Sequence, residues 1–290
     1  MVNDNFSPPT ISPLDSTSSE ILVSLCIPTF NGSRFIQQTI QSCLSQSHRN
    51  LEVIIADDQS SDDTISIVQS FNDNRIVILP AQERTSPASN WNRAVQAAQG
   101  QFIKILGQDD LLYSHCIETE LAVMLASDKH NPSFCFSSRS IVDESSREVI
   151  HSRGWTPANG VCELDEAVAK IVRSGGNPIG EPVVGLIATQ AIRQTKGFTG
   201  QYLIDLSMWI ELLKIGPAVH TKHTLMSFRV GKSSWSFKLK ESQTAEVLTL
   251  IRSLEVAFPK AVSKSDLLIG TVLAYIKPKL RIALIKMRAK

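Results

Sequence analysis

Several features that define common protein classes are missing from this chain of 290 residues. Its five cysteines are scattered and form no C-x-x-C pair, so neither a zinc site nor a disulfide framework is indicated. The 29 basic and 28 acidic side chains nearly balance, so no global charge favours a nucleic acid partner. No uninterrupted apolar run reaches transmembrane length, and no basic segment followed by an apolar one indicates a signal peptide.

Several catalytic motifs are also absent. The missing patterns are H-E-x-x-H, the Walker A loop, G-x-G-x-x-G and G-x-S-x-G. Their absence counts against a metalloprotease, a P-loop NTPase, a Rossmann dehydrogenase and an α/β-hydrolase. What remains is a chain that is 42% apolar and 20% charged, for which we expect a globular core, reduced thiols and a cytoplasmic location.

The first part of the chain alternates between apolar runs and helical patterns. Apolar runs at 21–27, 51–56, 76–79 and 102–106 predict buried strands. Apolar residues at helical spacing separate these runs, so the predicted order is β-α-β-α-β-α-β. This order, with short connections, predicts an α/β fold with a mostly parallel central sheet and helices on both faces.

Two of these strands end in adjacent aspartates: Asp57 and Asp58, and, just after Gly107, Asp109 and Asp110. Ligands of open α/β sheets bind at the carboxyl ends of strands, so both pairs are expected at one edge. Neighbouring carboxylates repel each other and are most useful with a cation between them and an anionic substrate. Taken alone, the second pair is equally consistent with a solvated loop.

The pattern changes after Leu112. A polar turn between apolar runs predicts antiparallel strands at 134–137 and 140–142, and the later predicted elements are a strand at 183–187, a helix at 203–215 and a strand at 225–228. We expect a disordered leader at 1–19, a main domain at 20–236 and a helical, basic C-terminal segment at 237–290.

The C-terminal segment combines an apolar stripe with positive charge. The stripe includes Leu273 and Ile276 and is expected to break at Pro278. A helix packed on the main domain is one interpretation. Attachment to an anionic membrane surface is the other, and the single sign of the charge favours it. We therefore expect a cytoplasmic protein with peripheral contact to the inner face of the membrane.

Six blocks of the chain, in their order and spacing, resemble the family 2 glycosyltransferases. The blocks are V-S-L-C-I-P-T-F-N-G at 23–32, L-E-V-I-I-A-D-D-Q-S-S-D-D-T at 51–64, N-W-N-R-A at 90–94, Q-D-D at 108–110, D-L-S-M-W-I-E-L at 205–212 and the loop at 229–236. The resemblance implies a GT-A fold and transfer of a sugar, with inversion, from a nucleotide diphosphate sugar to an acceptor hydroxyl. It also implies a divalent metal, Mn²⁺ or Mg²⁺.

Several positions depart from the family pattern. Gly107 stands where the family usually has an aspartate, Ile204 where it often has a glutamate, and Gly231 where a histidine is common. The missing carboxylate at Gly107 predicts weak metal binding in the absence of nucleotide. The glutamine-arginine-tryptophan signature of processive members is absent, so we expect one sugar to be added rather than a polymer.

The resemblance also implies roles for particular residues. Asp205 is the expected catalytic base, with a helix N-cap as its alternative interpretation. Asp110 is the expected metal ligand, with Asp109 sharing the metal or holding a ribose hydroxyl. The residues expected to bind the donor are Pro28, Phe30, Asn31, Asp58, Arg84, Asp109, Arg229 and Lys232, the last two as mobile cations over the phosphates. The acceptor is expected to be a glycan or lipid-linked molecule of the cell envelope.

Two other functions fit parts of the pattern. A sugar nucleotidyltransferase shares a nucleotide-binding α/β core, but the segment from Asn31 to Arg34 is too short for its Gly-rich, basic triphosphate loop. A relative that only binds nucleotide sugars is the second alternative, with Gly107 and Ile204 as signs of lost catalysis. Pyrophosphate release and donor hydrolysis distinguish these alternatives from a transferase.

Overall fold

The computed structural model describes residues 18–155, 160–200, 203–231 and 243–288. Strands in these ranges are β1 (Val23–Thr29), β2 (Leu51–Asp57), β3 (Ile76–Pro80), β4 (Phe102–Ile105), β5 (Leu111–Leu112), β6 (Phe134–Val142), β7 (Glu148–Arg153), β8 (Gly160–Cys162), β9 (Gly185–Ala188) and β10 (Ala218–Arg229). Helices are α1 (Ile36–Leu44), α2 (Thr64–Ser70), α3 (Pro87–Ala97), α4 (Cys116–Ala126), α5 (Leu164–Ser174), α6 (Thr189–Ile192), α7 (Ile204–Ile215), α8 (Gln243–Ala257) and α9 (Lys264–Arg288).

The described strands form one sheet, and its first half is parallel. The sheet order is β3-β2-β1-β4-β9-β6-β10-β5, with β7 paired to β6 and β8 to β10. β1 lies between β2 and β4, and β3 lies beside β2, all in parallel. The central strands are buried because helices such as α3 pack on them. The predicted α/β fold with a mostly parallel core is confirmed for this half.

The second half of the sheet is mixed, and one prediction there is wrong. Residues 134–142 form the single buried strand β6 instead of two strands around a polar turn. Its polar centre is buried because Ser137, Arg139 and Ser140 find partners. Arg139 pairs with Glu181 at 2.6 Å, and the hydroxyls of Ser140 and Tyr113 lie 2.8 Å apart. A polar stretch inside a buried strand therefore has the same sequence pattern as a turn.

Other strands differ from prediction in their limits. The segment expected as a strand at 183–187 begins with the 3-10 turn Pro182–Val184, and the strand itself is β9. The segment expected at 225–228 is the end of the twelve-residue β10. β7 is exposed along most of its length, so it carries no apolar alternation that would predict it.

The C-terminal helices pack on the main sheet domain through α5. α9 contacts both α5 and α8. Gly270 allows the close approach, because a Cβ there would lie 1.9 Å from the Val172 carbonyl oxygen. α9 continues through Pro278, so the expected break is wrong. Among the described residues, no helix, not even α9, is long and apolar enough to cross a membrane.

Candidate active site

The carboxyl ends of β1, β2 and β4 form one edge of the sheet. The Asp58 amide donates to the Thr29 carbonyl and the Leu106 amide to the Cys26 carbonyl, both at 2.9 Å. The loops after β2 and β4 therefore both begin beside β1. Both aspartate pairs lie at this edge, as the strand pattern predicts.

An aromatic ring, a cation and a carboxylate are stacked at this edge. Arg84 lies over the ring of Phe30, with Cζ 3.5 Å from the ring centroid, and its Nε is 3.7 Å from Oδ2 of Asp58. Asp58 Oδ1 accepts hydrogen bonds from the Thr85 amide and hydroxyl, both at 2.9 Å. The Asp58 side chain is only 6% exposed, whereas that of Arg84 is 56% exposed. Arg84 is thus the accessible member of the stack.

The loop after β1 is held in shape by side-chain contacts. Asn31 has a left-handed backbone with φ of 48°, and its Oδ1 accepts from the Ser61 amide at 2.8 Å. Gln108 clamps the Phe30 backbone, accepting from its amide at 2.9 Å and donating to its carbonyl at 3.1 Å. Pro28 is half-buried at the end of β1. Sequence reasoning missed the Gln108 clamp because a glutamine between a strand and a helix resembles any polar loop residue.

Asp109 and Asp110 have different surroundings. Asp110 is 2% exposed, and its carboxylate accepts from the Arg229 amide at 3.1 Å and the Gly107 amide at 3.2 Å. Burial, and then the charge of Asp109, raises the pKa of Asp110 well above its usual range. Asp109 is more exposed. A Cβ on Gly107 would lie 2.9 Å from a carboxylate oxygen of each, so a side chain at this position would displace these carboxylates from the arrangement seen here.

Arg229 is fixed in place. It is 2% exposed, and its guanidinium donates to the carbonyls of Asp109 and Asp143, both at 3.0 Å, and to Gln38 Oε1 at 3.2 Å. We expected Arg229 to be a mobile cation, but these contacts hold its side chain in one position. Its hydrogen bond to the Asp109 carbonyl stabilises the loop that carries Asp109. A direct contact with the donor stays a prediction. Lys232, expected to act with Arg229, lies outside the described residues.

The carboxylates at this edge fit a cation that has few protein ligands. In the part of the chain that the structure describes, no three His, Cys, Asp or Glu side chains are grouped to hold an ion. A cation bound through one or two carboxylates and the phosphates of a substrate needs no such group. Asp109 offers a partly exposed carboxylate, whereas the Asp110 carboxylate is buried.

Asp205 lies in the first turn of α7, whose N-cap is Leu203, so the interpretation of Asp205 as an N-cap is wrong. Its Oδ2 accepts from Asn177 Nδ2 at 2.9 Å and its Oδ1 from the Leu206 amide at 2.8 Å. Asn177 also donates to the Gly180 carbonyl at 2.8 Å. The loop between α5 and β9 therefore fixes the direction of the Asp205 carboxylate.

A partly buried ion pair lies near Asp205, between Arg139 and Glu181. Arg139 Nε is 2.6 Å from Glu181 Oε2, and the Arg139 side chain is 2% exposed. Burial is the main cause that raises the pKa of Asp205 to about 7, and the charge of Glu181 adds to it. Glu181 also raises the pKa of Asp110. The charge of Glu181 therefore acts on both Asp110 at the sheet edge and Asp205.

The sheet order and the helices around it make up the GT-A fold. Solved structures with the same fold include S. aureus TarS residues 1–349 in complex with UDP-GlcNAc, with a TM-score of 0.65 and 17% identity over 81% of this chain and 67% of that one. Another is mannosyltransferase PcManGT from Pyrobaculum calidifontis in complex with GDP-Man and Mn²⁺, with a TM-score of 0.61 and 15% identity over 90% and 74%. At this identity the likeness shows the fold alone.

The family follows from the sequence comparison. The family model "Glycosyl transferase family 2" matches residues 24–169, half of the chain, and the chain belongs to this family. One relative is the Escherichia coli enzyme UDP-Glc:alpha-D-GlcNAc-diphosphoundecaprenol beta-1,3-glucosyltransferase WfgD, 34% identical over 44% of this chain and 49% of WfgD. Another is the putative teichuronic acid biosynthesis glycosyltransferase TuaG of Bacillus subtilis, 27% identical over 76% and 83%. The match thus spans about half of WfgD.

Proposed function

We propose that the protein transfers one sugar from a nucleotide diphosphate sugar to an acceptor hydroxyl, with inversion at the anomeric carbon. One observation carries the proposal: Asn177 Nδ2 orients the Asp205 carboxylate at 2.9 Å, and burial raises the pKa of this carboxylate to about 7. A carboxylate with such a pKa can accept a proton near neutral pH. A base beside a nucleotide site is the arrangement that inverting transfer requires.

In this proposal the stack at the sheet edge receives the nucleotide. Arg84 offers an exposed guanidinium to a phosphate or base, and Asp58 faces the nucleoside. The metal role is assigned to Asp109 instead of Asp110, because Asp109 is partly exposed whereas Asp110 is only 2% exposed. A bound divalent cation supplies positive charge to the departing diphosphate. Arg229 keeps the Asp109 main chain in position.

The acceptor side uses Asp205. Its carboxylate removes the proton from the acceptor hydroxyl, whose oxygen then forms the new bond to the anomeric carbon. The bond from that carbon to the diphosphate oxygen breaks, and its electron pair leaves with the nucleoside diphosphate. Asn177 orients the carboxylate through its 2.9 Å hydrogen bond. One carboxylate on the acceptor face and a separate leaving-group site produce inversion in a single displacement.

The substrate classes follow from relatives. WfgD uses, by its name, UDP-Glc and a diphosphoundecaprenol-linked acceptor, and TuaG is named for teichuronic acid biosynthesis. We extend this to a UDP-sugar donor and a lipid-linked or other envelope glycan acceptor, with no nucleic acid partner. A lipid-linked acceptor requires the reaction to occur at a membrane, and we place it at the cytoplasmic face, in peripheral contact with the membrane.

UDP with Mn²⁺ is expected to raise the melting temperature, whereas Mn²⁺ alone is not, because Asp109 provides too few ligands without the diphosphate. At about 100 times Kd, ligand adds about 2.7 kcal/mol, or about 5–10 °C for a chain of this size. Asp109→Asn is expected to remove the increment due to Mn²⁺ and keep the effect of UDP alone. Thermal shift with UDP, GDP and CDP, each with and without Mn²⁺, measures this.

The matched control is Asp128→Asn, the same change at an exposed position of a 3-10 turn. Tight binding of Mn²⁺ to the free protein would contradict the assignment of a weak, diphosphate-dependent metal site. Release of pyrophosphate from a nucleoside triphosphate and a sugar phosphate would indicate a nucleotidyltransferase instead. Nucleotide binding without transfer or donor hydrolysis would indicate a non-catalytic relative.

The rate of transfer is expected to rise as pH increases through about 7, because Asp205 acts as a base only when ionised. Glu181→Gln removes a negative charge that raises the pKa of Asp205, so it is expected to move this rise to lower pH. Profiles of kcat/KM against pH for the two proteins measure the shift. The control is Glu211→Gln, because Glu211 lies in α7, the helix of Asp205, and pairs with Lys214 at the surface. An unmoved profile in Glu181→Gln would refute the electrostatic role of Glu181.

The same raised pKa predicts how Asp205 affects stability. The folded protein binds this proton more tightly than the unfolded chain, in which the pKa of an aspartate is about 4. The stabilising contribution is therefore present below about pH 4 and lost as the pH rises towards the folded-state pKa of about 7. The ionised base thus costs folding free energy at the pH where it is useful.

A further inference from the structure

The side chain of Gln108 joins two loops of the sheet edge. Gln108 is half-buried between Gly107 and Asp109, in the loop that follows β4. Its Oε1 accepts a hydrogen bond from the Phe30 amide at 2.9 Å, and its Nε2 donates to the Phe30 carbonyl at 3.1 Å. One side chain therefore binds both polar backbone groups of Phe30, as a neighbouring strand would.

The loop that carries Gln108 is itself held in place. The Gln108 carbonyl accepts from the Thr39 hydroxyl of α1 at 2.9 Å. The Asp109 carbonyl accepts from Arg229 Nε at 3.0 Å. Because the main chain is bound at both residues, the Gln108 amide is a fixed point that positions the Phe30 backbone.

The loop after β1 leaves room for this amide at Gly32. Gly32 is buried, and a Cβ there would lie 2.5 Å from Gln108 Oε1. The same loop is also bound from the β2 side. The Asn31 amide donates to Ser60 Oγ at 2.9 Å. The Gly32 amide donates to Thr64 Oγ1 at 2.8 Å. Contacts from both neighbouring strands thus give the loop its shape before a ligand binds.

The position of the Phe30 backbone determines where its ring lies. The ring supports the Arg84 guanidinium, whose Cζ is 3.5 Å from the ring centroid, and Arg84 Nε lies 3.7 Å from Asp58 Oδ2. A shift of the Phe30 backbone would therefore disturb the whole stack. Asp109 would stay in place, because Arg229 binds its carbonyl.

We propose that Gln108 is a positioning residue for the nucleoside of the donor, acting through the backbone of Phe30. The inference rests on the proposed function, which places the nucleotide on this stack. A loop that already has its bound shape loses less conformational entropy on binding, so the clamp increases affinity without touching the ligand. A purely structural Gln108 would instead support the whole sheet edge, including the part that binds phosphate.

Calorimetry with UDP and with inorganic pyrophosphate, each in the presence of Mn²⁺, tests the assignment. Gln108→Leu keeps an apolar side chain of similar size and removes both hydrogen bonds. It is expected to weaken UDP binding by about tenfold or more, the effect of losing two hydrogen bonds. The affinity for pyrophosphate is expected to stay unchanged, because pyrophosphate has no base and uses the cation at Asp109.

Gly32→Ala displaces the same clamp from the other loop and leaves Gln108 itself unchanged. The added methyl group occupies the place of the Gln108 amide, so the same selective loss of UDP affinity is expected. This variant decides the question if circular dichroism shows that Gln108→Leu is unfolded.

The matched control is Gln101→Leu. Gln101 precedes β4 at its other end and also binds a backbone amide beside β1, because its Oε1 accepts from the Leu22 amide at 3.0 Å. Gln101 is exposed and lies at the opposite edge of the sheet, so both affinities are expected to match those of the parent protein.

The outcomes separate this role from the proposed function. Unchanged UDP affinity in Gln108→Leu, or an equal loss of UDP and pyrophosphate binding, would overturn the role of Gln108. The proposed function would remain, because the parent protein still binds the nucleotide. Failure of the parent protein to bind any nucleoside diphosphate would refute the proposed function, and the role of Gln108 with it.

Discussion

Asp205→Asn is expected to reduce the rate of transfer about 10²- to 10⁴-fold while donor binding stays unchanged. Asparagine keeps the shape of the side chain and an oxygen that can accept from Asn177, but it cannot take the acceptor proton. In the proposed function Asp205 serves the acceptor, whereas the stack of Phe30, Arg84 and Asp58 serves the nucleotide. Transfer is measured as product formed from a UDP-sugar, and donor binding by calorimetry with UDP.

Asp165→Asn provides the matched control. Asp165 also lies in the first turn of a helix, α5, but it is exposed. The control is expected to retain full activity, since loss of a carboxylate from an exposed helix start affects only the helix dipole. Near-normal turnover in Asp205→Asn would rule out Asp205 as the base. Loss of UDP binding together with turnover would instead indicate that the substitution disturbs the fold of the site.

The sheet edge proposed to bind the donor could be predicted from the sequence because it depends on local patterns. Each strand is an apolar run that ends at a turn, and the carboxyl ends of parallel strands share one edge whatever the details of packing. This is why the Asp57 and Asp109 pairs are found together as predicted. The difference between Asp109 and Asp110 depends on Arg229, which is distant in sequence, and the strand pattern does not reveal it.

The support around Asp205 could not be predicted in the same way. Asn177, Glu181 and Arg139 act through contacts between residues tens of positions apart. Arg139 and the serines beside it even indicated a turn, because polar side chains inside a strand look solvated unless their partners are known. The loop at 175–182, dense in glycine and proline, gave the one signal that was available, since these residues mark turns.

Lys104 is the clearest case of a residue whose partner could not be predicted from the sequence. We expect the loss of this partner to have the largest effect on stability. Lys104 lies in the apolar run of β4 and pairs with Glu120 of α4 at 2.7 Å, both side chains being 0% exposed. Glu120 also accepts from the Ser137 hydroxyl at 3.0 Å. Glu120→Ala is expected to lower the free energy of unfolding by about 3–5 kcal/mol, because it leaves a buried ammonium without its counter-charge. Urea denaturation monitored by circular dichroism measures the loss.

Two further variants test whether the unpaired charge is the cause. Glu211→Ala removes one partner of the exposed pair with Lys214 and is expected to cost less than about 1 kcal/mol. The double variant Lys104→Met with Glu120→Leu removes both charges and is expected to recover most of the stability, since an apolar pair of similar volume needs no desolvation of ions. If the double variant is as unstable as Glu120→Ala, lost packing rather than the unpaired charge explains the effect. Recovery would mean that the ion pair at the centre of the sheet is not required for stability itself.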